Sequence, residues 1–364
     1  MQLENVISTV DNCRYCLMCR HVAPVERVTY DEALSPHGIA LVIASVQRGL
    51  LKWNKGTVAV VYSASDNGNS RAHCVFNQPL PEAIAAARAE ITKLRLAPPE
   101  TYQVDKALRE WGTPYAKQKP QVSTEKGEVA LFVGDEAHYL APENLAAALK
   151  LLKKVGVEPV LMGVGRSNGY LANSLGFPET AAESANAILA EVESTGAKQV
   201  LVLSPGDLFT FSQLYDERLN IQWPSNVKLQ EVTGLLAEKF VGGDLKFKPA
   251  SKKIPYAYVD PSHAVRVPDR HTAPRKLLTA VFQTDPVELF WRMDRSQPVG
   301  NTALQFTKPV IAEMLTLDRL EDARKSGAEL IMTDDASTLD KLRGRASQFG
   351  LHARGLYEVL ADQL

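Results

Sequence analysis

Cysteine is scarce in this chain, and the features that would assign it directly to a class are missing. Only 4 of its 364 residues are cysteine, and the formal net charge is −1. That charge gives no electrostatic reason to expect binding to nucleic acid. No apolar run reaches the ~20 residues of a membrane-spanning helix, so we expect no transmembrane segment. No nucleotide-binding loop, nucleophile elbow or HExxH motif is present. We therefore predict no catalytic residue.

The few cysteines nevertheless form a pattern. Cys13, Cys16 and Cys19 are each separated by two residues, and Cys74 stands alone far downstream. A bacterial ferredoxin run is C-x2-C-x2-C-x3-C-P, and in two-cluster ferredoxins its fourth cysteine ligates the other cluster. In this chain alanine (Ala23) takes the place of that fourth cysteine, just before a proline.

A second run with the same spacing precedes Cys74, but its first three ligand positions carry other residues. Crossed ligation between the two runs then predicts one complete [4Fe–4S] site and one erased site. The complete set is Cys13, Cys16, Cys19 and Cys74. The erased set is Ala23, Ala64, Asn67 and Ser70.

Two alternative roles for the cysteines stay open. The same four residues could bind structural zinc, although two consecutive two-residue gaps are unusual among zinc sites. They could also be buried thiols, because free cysteine packs as a small apolar residue. Disulfides are not expected, since the sequence starts without a signal peptide and thiolate-bound iron implies a reducing, cytoplasmic compartment.

The chain divides by pattern into a helical ferredoxin-like domain (1–96), a polar linker (97–127) and two α/β halves (128–250 and 251–364). In the first domain, helices are predicted after Ser35 and over residues 83–94. In each half, short apolar runs alternate with helical ones, which is typical of βαβ units. The fold class is therefore predicted as α/β, with the two halves as pseudo-repeats.

The predicted elements of the two halves follow the same order. In the first half the strands are 129–133, 159–162 and 199–203, and the helices are 145–155 and 181–194. In the second half the strands are 256–259, 287–290 and 329–332, and the helices are 275–281 and 308–326. The clearest repeat aligns Thr195-Gly196-Ala197 with Ser326-Gly327-Ala328, each between a helix and a strand.

This organisation resembles the family of iron–sulfur proteins that carry CCG motifs, as heterodisulfide reductase does. That family includes the iron–sulfur components of anaerobic glycerol-3-phosphate dehydrogenase and of glycolate oxidase. Ser35-Pro36-His37-Gly38-Ile39 is similar to the family segment S-P-R-G-R-I, and Asp260-Pro261-Ser262-His263 is similar to D-P-C-H. The resemblance covers nearly the whole chain.

Each half of the family also carries a cysteine set, a lone C, CCG and CPxC, and here every such position is another residue. In the first half these positions are about Asp135, then Ser167-Asn168-Gly169, then Ser204-Pro205-Gly206-Asp207. In the second half they are Ser262, about Pro298-Val299-Gly300, and Asp335-Ala336-Ser337-Thr338. Without soft ligands these positions cannot hold an iron–sulfur cluster. The family's disulfide-reducing or quinone-facing chemistry is therefore not expected.

The resemblance implies an electron-transfer subunit rather than a complete enzyme. It would relay single electrons through one [4Fe–4S] cluster from a flavin (FAD or FMN) on a partner to a downstream acceptor. The expected partner is a flavoprotein dehydrogenase subunit, with an electron-transfer flavoprotein or a quinone-linked protein as acceptor. We expect a hetero-oligomer, cytoplasmic or held at the inner membrane through its partner.

A small-molecule module and a scaffold are the alternatives. In the first, polar residues at the former cluster positions form a pocket near the strand ends. Those residues are Asp135, Ser167, Asn168, Ser204, Asp207, Ser262, His263 and Asp335. The simpler interpretation of the same residues is helix capping, which Ser, Asn and Asp commonly perform. In the scaffold alternative, the cluster only stabilises the fold.

Overall fold

The N-terminal part of the molecule is helical. The computed structural model describes Cys13, residues 16–267 and residues 269–364. Within the N-terminal part, five α-helices follow one another: α1 (Pro24–Thr29), α2 (Pro36–Gln47), α3 (Lys55–Tyr62), α4 (Asn69–Ala72) and α5 (Leu80–Lys93). Short 3-10 turns at Arg20–Val22 and Glu32–Leu34 precede α1 and α2.

Helix α2 begins where the sequence predicts. The Ser35 hydroxyl accepts a hydrogen bond from the Gly38 backbone N–H at 3.1 Å, and Pro36 occupies the first turn, where its missing N–H is not needed. Helix α5 also matches its prediction and starts three residues earlier. Apolar side chains of α2, α3 and α5 form a separate small core, which includes Ile43, Val61 and Ile91.

The segment predicted to be a linker contains a helix, α6 (Pro99–Trp111). Its buried residues Val104 and Leu108 share a small core with Leu171 and Leu175 from the first α/β half. The polar composition of this segment therefore reflects one exposed helix face and the extended stretch after it. The helix itself is packed against the domain that follows.

The first half contains a four-stranded parallel sheet of order β2-β1-β3-β4. Its strands are β1 (Val129–Val133), β2 (Val160–Val164), β3 (Gln199–Val202) and β4 (Lys228–Glu231). Its helices are α7 (Gly134–Leu140), α8 (Pro142–Lys154), α9 (Tyr170–Leu175), α10 (Pro178–Thr195), α11 (Pro205–Phe209), α12 (Tyr215–Leu219) and α13 (Val232–Val241), with a π-turn at Thr210–Leu214. The three predicted strands are confirmed, and β4 was not predicted.

The second half contains a three-stranded parallel sheet of order β5-β6-β7. Its strands are β5 (Tyr256–Tyr258), β6 (Leu330–Thr333) and β7 (His352–Gly355). Its helices are α14 (Thr272–Phe282), α15 (Ala303–Thr307), α16 (Pro309–Lys325), α17 (Ala336–Arg343) and α18 (Leu356–Ala361), with 3-10 turns at Ser262–Arg266, Met293–Arg295 and Ala346–Phe349. The strand predicted over 287–290 is wrong: only the Val287 N–H bonds the sheet, at the Tyr256 carbonyl, and the chain then turns away.

The repeat predicted from the sequence is present in the backbone. Helix α10 ends at Gly196 (φ 69°) and α16 is followed by Gly327 (φ 82°), and β3 and β6 start shortly afterwards. A left-handed residue after a helix favours glycine, which has no Cβ to clash. The fold is therefore α/β, with a helical N-terminal part followed by two parallel sheets.

One core joins the two sheets. Leu131 and Leu201 of the first sheet and Tyr258 and Met332 of the second belong to the same buried cluster. At its edge the buried Arg270 guanidinium donates to Glu231, at the end of β4, and to Asp334, after β6. The carboxyl ends of strands from both sheets consequently face a common region. Among the described residues, no helix is long and apolar enough to cross a membrane.

The buried carboxylate of Asp66 joins all three parts of the molecule. It accepts hydrogen bonds from Ser174 Oγ at 3.1 Å, Tyr170 OH at 3.2 Å and Arg266 Nη2 at 3.3 Å. Tyr170 and Ser174 belong to the first half, and Arg266 belongs to the second. Burial alone would raise the pKa of Asp66, but Arg218 and Arg266 outweigh that effect and hold it below its usual range.

Replacing Asp66 with asparagine is expected to destabilise the protein by about 3–5 kcal/mol at neutral pH, because buried arginines lose their counter-charge. The difference from wild type should shrink as the pH falls below the ordinary value of 3.8, where the unfolded carboxyl binds a proton first. Chemical denaturation over a pH series measures both effects. Asp244→Asn, at an exposed pair with Lys239, is the control and should change stability by less than about 0.5 kcal/mol. Equal effects of the two substitutions would contradict this role of Asp66.

Candidate iron–sulfur site and acidic pocket

The four cysteines line one pocket. Cys13, Cys16 and Cys19 come from the N-terminal loop, and Cys74 comes from the turn that follows α4. All four thiols are free, with Cys16 exposed and the other three partly buried. The structure thus brings together the complete ligand set predicted from the two sequence runs.

The N-terminus of α2 forms one wall of this cysteine pocket. Pro36, His37 and Ala40 line it, and the backbone N–H of His37 donates to the thiol of Cys19. The partial positive charge at a helix N-terminus favours negative groups, here a thiolate. The serine cap of α2 fixes the direction of this N–H, so the local helix signal also positions a donor to sulfur.

Burial raises the pKa of the Cys19 thiol to about 11, and the neighbouring Cys13 and Cys74 raise it further. An isolated thiolate would therefore be unfavourable at this position. A bound cation reverses that preference, because metal coordination deprotonates a thiol outright. Three thiols that disfavour one another's ionisation are typical of a site that needs a metal to become fully charged.

Ring packing holds the two cysteine loops together. His21, next to the first loop, packs edge-to-face against His73, next to Cys74, with ring centroids 5.9 Å apart. His73 Nδ1 lies 3.1 Å from the Asn69 carbonyl oxygen, which ties the ring to α4. The contact places Cys74 beside the first three cysteines despite their separation in sequence.

The chemistry of the pocket fits a soft metal centre. Apart from the cysteines and His37, its lining contains no titratable side chain, and Leu17, Met18, Phe76 and Leu80 supply apolar surface. Within the described residues, no group of three or more His, Cys, Asp or Glu side chains is placed to hold a metal ion. The thiols thus share a pocket without closing on one point. Their sulfur donors suit zinc or an iron–sulfur cluster rather than magnesium or calcium.

The erased ligand set lines a second pocket beside the first. Ala23 joins Ala64, Asn67 and Ser70 there, as crossed ligation of the two runs requires. Ser70 lines both pockets, so the two sites are neighbours. This pocket also contains Asp66, the carboxylate that links the three parts of the molecule. The residues predicted to have lost a cluster therefore retain the spatial arrangement of a site.

The polar residues at the former CCG and CPxC positions also converge. Seven of the eight candidates line one pocket: Asp135, Ser167, Asn168, Ser204, Asp207, His263 and Asp335. Ser262 is buried beside this acidic pocket but does not line it. Helix capping, the simpler interpretation, holds for two of them: Ser204 caps α11 and Asp335 caps α17. It does not explain why the others meet at one place.

Further pocket residues had not been predicted. Glu136 directly follows Asp135, and its acidity was visible in the sequence without any motif to mark it. Tyr115 comes from the segment after α6, and Asn301 and Ser337 come from the second half. Tyr115 lies with its hydroxyl 3.4 Å from Glu136 Oε1. Only the tertiary fold brings these residues together.

Burial raises the pKa of each carboxyl group in the acidic pocket. The pKa of Asp135 rises to about 6 and that of Asp207 to about 7. For Glu136, burial and the neighbouring Asp335 and Asp135 raise the pKa well above its usual range. Burial also raises the pKa of Asp335. The acids therefore disfavour one another's ionisation, and no lysine or arginine is among the lining residues.

Restoring the erased ligands offers a test of the crossed arrangement. In the variant Ala23→Cys, Ala64→Cys, Asn67→Cys and Ser70→Cys, the second pocket gains four thiols at ferredoxin positions. Anaerobic reconstitution is expected to raise the iron content from about four to about eight per chain. The triple variant without Ala23→Cys is the control and should stay near about four. Equal iron contents of the two variants would contradict crossed ligation.

Comparisons with known proteins support the fold alone. No protein-family model matches the chain, and no curated protein matches it. A crystal structure of a hypothetical protein from Helicobacter pylori aligns with 99% of this chain and 75% of its own, with a TM-score of 0.62 and 10% sequence identity. At that identity the similarity shows that the two chains share an α/β architecture.

Proposed function

We propose that the chain is an iron–sulfur electron-transfer subunit whose single [4Fe–4S] cluster is held by Cys13, Cys16, Cys19 and Cys74. The observation that supports this most directly is that all four cysteines line one pocket while the matching erased set lines its neighbour. When bound, such a cluster accepts and releases one electron at a time. Zinc would use the same sulfur donors, but the ferredoxin spacing of both runs favours iron.

The surrounding residues would hold the centre and adjust its potential. The His37 N–H directed at Cys19 favours negative charge on sulfur, and hydrogen bonds to sulfur tune cluster potentials. Apolar side chains around the cysteines limit the access of water. No residue that lines the cysteine pocket suits proton or hydride abstraction, so substrate chemistry would belong to a partner.

Exposed apolar side chains beside the cysteines support a docking role. Leu17, Met18, Val75 and Phe76 are all exposed, and each lies next to a predicted ligand or one residue further away. Neighbouring exposed apolar residues are typical of protein interaction surfaces. We define these four residues as the docking rim. An electron-transfer partner that covers the docking rim would come close to the cysteine pocket.

The partner is proposed to be a flavoprotein dehydrogenase. Oxidation of an organic substrate releases two electrons, whereas one cluster takes one, so a flavin must divide the pair. The glycine-rich segment Gly163-Val164-Gly165 lacks the spacing and the acidic residue of a dinucleotide fingerprint. The flavin would therefore be on another subunit, which passes its electrons singly through this chain to an acceptor protein.

Val75→Glu tests the docking rim. Val75 is 69% exposed, so the change should preserve the fold and the iron content while placing a charge in the interface. We expect electron transfer from the flavoprotein that co-purifies anaerobically with the chain to fall about tenfold, as at an interface hot spot. Stopped-flow reduction of the cluster measures the rate.

Val241→Glu is the matched control, because Val241 is 65% exposed but lies on α13 in the first α/β half. It should leave the rate unchanged. If Val75→Glu and Val241→Glu behave alike, the docking rim is not the contact surface. If no flavoprotein co-purifies with the wild-type chain, the electron-transfer proposal itself fails.

A further inference from the structure

The acidic pocket concentrates negative charge without a counter-ion. Four carboxyl groups line it, from Asp135, Glu136, Asp207 and Asp335, and all are buried or nearly so. The hydrogen-bond donors that hold them are neutral: Asn168 Nδ2 lies 2.8 Å from Asp207, and Ser337 Oγ lies 3.1 Å from Asp335. The nearest cations are engaged elsewhere; Arg166, for example, faces Glu191 at 3.5 Å.

Helix geometry accounts for each acid separately but not for their convergence. Asp135 and Glu136 lie in the first turn of α7, Asp207 lies in the first turn of α11, and Asp335 caps α17. A helix N-terminus favours a carboxylate by up to about 1 kcal/mol at exposed positions. Gathering four of them around one cavity adds mutual repulsion that nothing in the lining offsets.

A second observation points to a missing ligand. His263 lines the same pocket and is only 6% exposed, yet its Nε2 has no hydrogen-bond partner. Burial, and then Arg266, lowers the pKa of this histidine to about 3, so the ring is neutral at physiological pH. A buried ring nitrogen without a partner loses the hydrogen bond that water or a ligand would supply. His263 therefore contributes a polar group to the pocket but no positive charge.

Size and geometry distinguish between ligand classes. The pocket encloses about 700 Å³, within the roughly 300–1,000 Å³ of small-molecule sites. An anion would be repelled by the four acids. A bare metal ion is disfavoured because, in the described part of the chain, no three acidic, histidine or cysteine groups are placed to hold one. The rings of Tyr115 and Tyr170 also line the pocket and can attract an organic cation.

We propose that this pocket binds a small organic amine, whose ammonium groups pair with the carboxylates of Asp135, Glu136, Asp207 and Asp335. The uncharged Asn168, Ser337 and His263 would supply the remaining hydrogen bonds. The site is separate from the cysteine pocket and does not depend on the electron-transfer proposal. A ligand here would contact residues from both α/β halves.

Amine binding should depend on pH, because the amine favours ionised carboxylates. The titratable groups that line the pocket are Asp135, Glu136, Asp207, Asp335, His263, Tyr115 and Tyr170. Asp135 and Asp207 have pKa values near 6 and 7 in the empty protein, so the amine should displace protons at neutral pH. Affinity should therefore rise between pH 5 and pH 8.

The experiment uses thermal melting of the full chain with putrescine, spermidine, Mg²⁺ alone or ribose. We expect either amine at millimolar concentration to raise Tm by several degrees, more at pH 8 than at pH 5, and the others to have little effect. The double variant Asp135→Asn, Asp207→Asn should lose the amine-dependent shift. Asp340→Asn, an exposed acid on α17, is the matched control and should retain it.

The same variants test the charge argument without any ligand. The raised pKa values mean that ionisation of these acids opposes folding above their unfolded pKa values, so the double variant should melt at a higher temperature than wild type at pH 8. A purely structural role predicts a lower melting temperature. Protection by Mg²⁺ or ribose instead of amines, or by none of the four compounds, would overturn the proposal. Iron content should be the same in every variant, which separates this test from that of electron transfer.

Discussion

The carboxylate of Asp66 is the interaction on which the arrangement of the molecule depends. It is buried, it lies in the loop that lost its cluster ligands, and it bonds Tyr170 and Ser174 of one half and Arg266 of the other. A charge buried this deeply is stable only while its partners stay in place. The loop that carries it continues to Cys74, so the same network fixes where the fourth cysteine can lie.

Both kinds of former metal position keep their geometry after losing their thiolates. In the helical part, Ala23 still meets Ala64 and Asn67 in a pocket next to the cysteines. In the α/β part, acids and amides meet where the family resemblance implies cysteines. The first pocket is small and lined by the Asp66 loop, whereas the second is larger, acidic and without a counter-charge. Loss of a cluster therefore has different consequences at the two places: a structural joint at one, and a proposed amine site at the other.

Local sequence patterns predicted the elements that form through local interactions. Helix α2 has its own serine cap and proline, and the apolar strands β1 and β3 are bounded by helices. Strands β4 and β7 read K-L-Q-E and H-A-R-G, and they are strands because a parallel neighbour pairs with them. The apolar stretch 287–290 failed as a strand because it bonds the sheet at one residue only. The cysteine set was predictable from spacing, whereas Tyr115 enters the acidic pocket through packing of the α6 segment, which no local pattern encodes.

Iron and labile sulfide per chain, measured in anaerobically purified wild type and in Cys74→Ser, test the central claim most directly. Crossed ligation predicts about four iron and about four sulfide in wild type. It also predicts that Cys74→Ser loses the cluster as severely as Cys13→Ser, although Cys74 lies outside the N-terminal run. Zinc without sulfide, about eight iron in wild type, or an unchanged cluster in Cys74→Ser would contradict the account.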